Sequence, residues 1–191
     1  MTTVYEPDLT FSLAVQGRSE VPVLRCYYCQ KCTAGCPVAY AMDYPPAQVL
    51  RLIQLGQRDA VLSSSAIWLC VGCEACGTRC PNQIRLAPMF DTLRYMALEG
   101  GYKPQPRAVY SLHRSFVDSI RLWGRVHELT MLIQYKILSP LSSDLLADIK
   151  VGLTLFIKGK ILSLPERVRG LAQVRALYKK AEDRRSTEVE A

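Results

Sequence analysis

Three observations predict a mainly α-helical fold. Apolar residues recur at helical spacing through most of the chain, no stretch sustains period-two alternation, and prolines and glycines fall where helices would open and close. With 191 residues the chain can bury one sizeable core or two small ones without staples. A composition of 49% hydrophobic and 21% charged residues is that of an ordinary globular chain and excludes wholesale disorder.

The elements follow in order. Residues 1–20 carry Val4, Leu9, Phe11, Leu13 and Val15 before Gly17 and read as an N-terminal arm that packs on something else. Residues 21–100 contain every cysteine and read as the first full domain. After Pro45-Pro46, the apolar positions Val49, Leu50, Leu52, Ile53 and Leu55, then Gly56, describe a helix opened by proline and closed by glycine. Gln57 to Ser65 then reads as a turn. A second helix is expected from about Leu86 to Leu98, with Phe90, Leu93, Met96 and Ala97 on one face. The doublet Gly100-Gly101, followed by Pro104 and Pro106, marks the domain boundary.

Residues 101–191 should be a helical C-terminal region. Val109, Leu112, Phe116, Val117 and Ile120 fit one helical face, and Val126, Leu129, Leu132, Ile133, Ile137 and Leu138 another ahead of Pro140. Ser142 or Ser143 can cap a further helix reaching about Ile157. Ser163-Leu164-Pro165-Glu166 reads as the entry to a last helix through Lys180, with the last ten or so residues, Glu182–Ala191, frayed.

Charge separates the two regions. Residues 1–100 hold eight Lys/Arg against eight Asp/Glu, and residues 101–191 hold sixteen against nine, so the whole net charge of +7 lies in the second half. The bases are scattered through amphipathic helices, with no dense run and no interleaved aromatics, which disfavours nucleic acid and suits a solvated or partner-facing helical surface. The start, Met1-Thr2-Thr3-Val4-Tyr5-Glu6, has neither a basic nor an apolar leader region, which argues for a cytoplasmic protein. The most apolar late stretch, Val151 to Leu162, is broken by two lysines and two glycines, and it falls short of the roughly 20 apolar residues of a membrane span.

In a reducing compartment eight cysteines are a poor disulfide framework and a good metal-binding one. Cys26, Cys29, Cys32 and Cys36-Pro37 form the run C-x2-C-x2-C-x3-C-P, and Cys70, Cys73, Cys76 and Cys80-Pro81 repeat it, which uses every cysteine in the chain. This is the bacterial ferredoxin pattern. Two-residue gaps let a tightly wound loop aim three thiolates at three corners of one cubane while intervening amides face its sulfides. The fourth cysteine leaves that loop, and the proline behind it fixes φ. In two-cluster proteins of this type the fourth cysteine ligates the other cluster. Cluster one is therefore assigned to Cys26, Cys29, Cys32 and Cys80, and cluster two to Cys70, Cys73, Cys76 and Cys36. Two [4Fe–4S] clusters are the expected cofactors.

Zinc is the competing reading, since eight thiolates could hold two ions, but it gives no reason for the complete pattern to occur twice. A catalytic cysteine lacks a partner motif, because His113 and His127 both lie outside the cysteine-rich half and read as ordinary helical residues. Trp68, Tyr27, Tyr28 and Tyr40 flank the motifs and read as shielding for the clusters. Lys31, Arg25, Arg79 and Arg85 stand beside ligands, where positive charge favours the reduced cluster.

A helix between Cys36 and Cys70, and another after Cys80, distinguish the chain from small βαβ ferredoxins. The arrangement resembles the α-helical ferredoxin domain of fumarate reductase and succinate dehydrogenase iron–sulfur subunits. It is more closely similar to the C-subunit family of soluble heterodisulfide reductases. That resemblance rests on the two cysteine runs, on WLCVGCEACGTRCP (68–81), on WGRVHE (123–128) and on LFIKGKILSLPERVRG (155–170).

The resemblance implies a non-catalytic electron-transfer subunit of an oxidoreductase complex in anaerobic metabolism. Such a chain passes single electrons from an A-like subunit, which contains flavin and iron–sulfur clusters, to a B-like subunit that reduces a disulfide. It implies a hetero-oligomer, in which the chain can also dimerise. The cysteine-rich CCG motifs of disulfide chemistry and a Gly-rich dinucleotide fingerprint are absent from the sequence, so no catalytic residue is assigned to this chain. The alternatives are a free-standing ferredoxin and the small iron–sulfur subunit of a membrane-associated quinone-linked dehydrogenase.

Overall fold

The structure is a computed structural model that describes residues 8–139, 150, 152–154, 157–159 and 167–189. All regular structure among the described residues is helical, in keeping with the expected mainly α fold. The chain forms two compact units that divide between Pro106 and Arg107.

In the first unit, helix α1 (Leu9–Ser19) begins at Asp8, whose side chain accepts from Thr10 N at 2.9 Å, the usual way of satisfying a free first-turn amide. The stretch read as an arm thus contributes to the core: Phe11, Ser12 and Val15 are buried, and the helix packs on α3 (Pro46–Gln54) and α7 (Leu86–Glu99). Ser12 Oγ donates to Ile53 O at 2.7 Å, and Arg18 clasps Glu99 through two bonds of 2.7 and 3.1 Å.

Helix α3 begins with proline at its first position, where the missing N–H costs nothing, and buries Val49, Leu50 and Ile53. It closes at Gly56, whose φ of +71° favours glycine. Helix α7 buries Leu86, Met89, Phe90, Leu93, Met96 and Ala97, each large apolar side chain adding about 1.5–3 kcal/mol of burial.

Between these two lie short helices. Arg58–Leu62 forms α4 within the segment expected to be a turn; five residues are too few to display a period, and the helix is held by burying Val61 and Leu62 beside α3 and α7. The 3₁₀ turns Val23–Arg25 and Ala39–Ala41, and the short helices α2 (Lys31–Ala34), α5 (Ala66–Leu69) and α6 (Ala75–Arg79), carry the cysteine runs.

The second unit contains α8 (Arg107–Trp123), α9 (Glu128–Leu138) and a last described helix, α10 (Leu171–Val189). The apolar face of α8 is part-exposed. Leu112, Phe116 and Val117 are 42, 45 and 42% exposed, and the buried residues are Ser111, Ser115 and Ser119. Small side chains one turn apart let α9 approach closely, and the hydroxyls find backbone partners: Ser111 Oγ donates to Leu138 O at 3.1 Å and Ser119 Oγ to His127 O at 3.3 Å.

The corner between α8 and α9 is built from Trp123, Gly124 and His127. His127 is not an ordinary helical residue: it is the N-cap of α9, 5% exposed, with Nδ1 accepting from Thr130 N at 3.3 Å. Trp123 Nε1 donates to Thr130 Oγ1 at 3.2 Å, and the Arg167 guanidinium stands 5.8 Å from the Trp123 ring centroid. Arg175 donates to the carbonyls of Arg121 and Leu122, the terminal acceptors of α8.

The helix expected to stop near Lys180 continues to Val189, through residues that are mostly good helix formers, with Glu182 paired to Arg121 at 2.9 Å. The expected caps at Ser142 or Ser143 and the entry at Ser163–Glu166 lie outside the described residues. No helix among the described residues is long and apolar enough to cross a membrane.

Candidate metal centre

The sequence repeat is also a repeat of backbone conformation. In the first run Tyr28 and Gln30 have φ of +64° and +63°, and α2 starts at Lys31; in the second run Gly72 and Glu74 have φ of +64° and +59°, and α6 starts at Ala75. In each run a left-handed residue ends the first two-residue gap and another opens the second, so the chain turns sharply on both sides of the second cysteine. This conformation costs a non-glycine residue roughly 1–2 kcal/mol. Tyr28, Gln30 and Glu74 accept that cost at the metal-binding loops.

Amides inside the loops face sulfur. Tyr28 N–H donates to Cys26 Sγ at 3.4 Å, and Gly72 N–H faces Cys70 in the equivalent position. Thr33 N–H faces Cys32, and Gly77 N–H faces Cys76, which also receives Leu86 N–H. Such donors stabilise sulfur that carries negative charge.

Side chains from elsewhere fasten each loop, and they too repeat. Gln54, at the end of α3, donates from Nε2 to Cys26 O at 2.9 Å and Val23 O at 3.1 Å. Arg94, on α7, donates to Cys70 O and Ile67 O. Both reach the carbonyl of the motif's first cysteine and that of the residue three before it. Thr33 Oγ1 accepts from Ala47 N at 3.0 Å, supplying the cap that Pro45 cannot give α3.

The fourth cysteines are brought to the opposite loops. Asp43, beyond Cys36, accepts from Ser65 N at 2.7 Å and Ala66 N at 3.0 Å, the start of the short helix that leads into Cys70. Asn82, beyond Cys80, donates from Nδ2 to Arg25 O, the residue before Cys26. Cys36 accordingly lines the same pocket as Cys70, Cys73 and Cys76, of about 360 Å³ including its open mouth, with Met42, Val71 and Phe90 among its apolar walls. Cys80 faces Tyr27 together with Cys29 and Cys26, and Cys32 feels both Cys26 and Cys76, so the two groups of thiols adjoin.

Burial pushes the Cys32 thiol up to about 11 and raises Cys70 and Cys76 above their ordinary values. Arg94 acts in the opposite direction on Cys70. Thiols held neutral by apolar surroundings lose their protons when a metal takes their place. Cys29 and Cys73, the second cysteine of each run, are exposed.

Soft sulfur donors with amides aimed at them suit an iron–sulfur cluster. Among the described residues no three His, Cys, Asp or Glu side chains converge on a point for a single ion, and the thiolates of a cubane stand around its corners instead.

Of the residues flagged in the sequence, all eight cysteines lie in these two groups. Trp68 is buried at 4% exposure, whereas Tyr27, Tyr28 and Tyr40 are exposed, Tyr40 at 89%, so the tyrosines do not all shield. Arg25, Lys31, Arg79 and Arg85 are exposed, with Arg85 paired to Glu74 at 2.7 Å. Gln54, Arg94, Asp43 and Asn82 were not legible from the sequence, because each is a lone polar residue whose partner lies 22 to 57 positions away.

Comparison with known proteins places a 4Fe-4S dicluster domain over residues 22–84. The chain is 37% identical over 102 residues to the C2 subunit of the H(2)/formate:CoB-CoM heterodisulfide,ferredoxin reductase of Methanococcus maripaludis, covering 51% of this chain and 55% of that one. It is 40% identical over 76 residues to the second iron-sulfur C-subunit of the CoB--CoM heterodisulfide reductase of Methanocaldococcus jannaschii, covering 40% of each. With the C-subunit of the ferredoxin:CoB-CoM heterodisulfide reductase of Methanosarcina mazei it shares 33% identity over 101 residues, 52% of this chain and 62% of that one. The chain spans about half the length of the curated relatives it matches.

Proposed function

From the premise that the chain is an iron–sulfur protein related to the C-subunits of heterodisulfide reductases and holds two [4Fe–4S] clusters, we propose that it is the electron relay of such an oxidoreductase complex. When bound, the clusters supply one-electron redox chemistry. The chain's residues hold them side by side: Cys26, Cys29, Cys32 and Cys80 form one ligand set, and Cys70, Cys73, Cys76 and Cys36 the other. The observation that carries this reading is the reciprocal tie, in which Asp43 fastens the Cys36 segment to the approach of the second run and Asn82 fastens the Cys80 segment to the approach of the first.

The exposed second cysteines, Cys29 and Cys73, are where electrons enter and leave, and Tyr27 and Val71 beside them, 62 and 64% exposed, form part of the contact surface. Residues 21–100 act as the α-helical ferredoxin domain. Residues 101–191 act as the clamp on partner subunits, since they carry the whole net positive charge and display apolar side chains such as Phe116, Ile133 and Ile137. The donor is an A-like subunit with flavin and iron–sulfur clusters, the acceptor is a disulfide-reducing B-like subunit, and the setting is cytoplasmic.

The test is anaerobic co-expression with subunits of these two kinds. The chain should co-purify with both, its cluster absorbance should bleach when the flavin of the A-like subunit is reduced, and the absorbance should return when a disulfide substrate of the B-like subunit is added. A chain that purifies alone, or that stays oxidised beside a reduced flavin partner, contradicts the proposal.

A further inference from the structure

The two cysteine runs are fastened by equivalent bonds from unequal side chains. A neutral carboxamide, Gln54, holds the carbonyls of Cys26 and Val23, and a guanidinium, Arg94, holds those of Cys70 and Ile67. The other bases beside the runs, Arg25, Lys31, Arg79 and Arg85, are exposed, and water and salt screen their charge. The Arg94 side chain is 21% exposed, and its ion-pair partner Asp91, at 2.8 Å, is 62% exposed and turned to solvent. Arg94 is therefore the base of this group whose field reaches a cysteine loop with least screening.

We infer that Arg94 is a positioning residue that sets the [4Fe–4S] cluster of Cys70, Cys73, Cys76 and Cys36 at a higher reduction potential than its neighbour, so that the first electron taken up rests there. Cluster potentials respond to net charge and to hydrogen bonding around the ligands. A fixed positive charge stabilises the added electron, and Gln54 gives the other loop the same mechanical support without that charge. The inference rests on the two-cluster relay proposed above and adds an order to the pair.

The experiment is an EPR-monitored redox titration, with dithionite as reductant, of the purified full-length chain, of Arg94→Gln, which reproduces the Gln54 arrangement, and of Arg94→Lys, which keeps the charge and alters the bonds. The parent protein should show two separated midpoints. Arg94→Gln should lower the upper one, with the reduced-to-oxidised ratio at a fixed potential falling on the order of tenfold, 59 mV for one electron, and should leave the lower one in place. Arg94→Lys should keep the reduced-to-oxidised ratio of the higher-potential cluster at the same potential within threefold of the parent.

An upper midpoint unmoved in Arg94→Gln, a lower midpoint moved instead, or equal shifts in the glutamine and lysine variants would overturn the inference. Should Arg94→Gln fail to assemble, Gln54→Arg reads the same effect from the other side by raising the lower midpoint toward the upper, and a lower midpoint that stays put overturns the inference equally. The failure of the relay reading itself looks different: the unsubstituted chain would give no pair of cluster signals to titrate.

Discussion

Asp43 shows how a residue with no redox chemistry can decide where a ligand sits. Partial burial alone would raise its carboxyl, but the amides of Ser65, Tyr44 and Ala66 hold it below its ordinary value. A carboxyl with a lowered folded value contributes stability above its unfolded value, near 3.8, and loses that contribution as pH falls through the folded one. Asp43→Ala should therefore lower the urea midpoint of cluster loss by the equivalent of about 1 kcal/mol, less than buried charge-assisted bonds contribute, because the residue is open to water. The deficit should be constant from pH 5 to pH 8, and Asp43→Asn, which keeps one acceptor, should recover part of it. A deficit that grows or vanishes across that range contradicts the assigned role. The cysteines were legible because ligand spacing is local, whereas Asp43, Asn82, Gln54 and Arg94 act across distances that only the folded chain closes.

At the scale of elements, sequence periodicity served where helices are long and bury apolar residues. Helices α3 and α7 run as expected because Val49, Leu50 and Ile53, and Phe90, Leu93 and Met96, meet one core. Periodicity also served at α8, where the helix forms and the amphipathic pattern is real, but it did not show that the buried stripe is serine, since close packing rewards small side chains as well as apolar ones. It was silent at α4, which is shorter than two turns. Gly56 tests how closely these elements approach. A Cβ there would meet the backbone of Asp8, with Asp8 N at 2.6 Å, in addition to the strain of φ +71°; Gly101 has the same φ of +71° and nothing within 4 Å. Gly56→Ala should thus destabilise the first unit by more than the ~1–2 kcal/mol of conformational strain expected for Gly101→Ala. Equal urea midpoints for the two variants would contradict the docking of the α1 start against Gly56.

For the whole molecule, the division near residue 106 coincides with the change in charge balance. The first hundred residues are neutral and carry every cysteine, and the remainder carries the net charge of +7 and no cysteine. The Gly-Gly and Pro-x-Pro signals around residues 100–106 interrupt helical spacing in the same stretch. The number of clusters was legible from the complete duplicated run, and the dicluster match over residues 22–84 agrees with it. The inequality between the two halves was not, since a glutamine and an arginine at different spacings from their motifs show no kinship in sequence.

The central claim, that this chain is built around two adjoining [4Fe–4S] clusters, meets its most direct test in anaerobic purification with iron and sulfide counting, followed by EPR of the dithionite-reduced chain. About eight iron and eight sulfide per chain, with a spin-coupled signal from two neighbouring clusters, is the predicted result. About two zinc ions per chain and no EPR signal would contradict it.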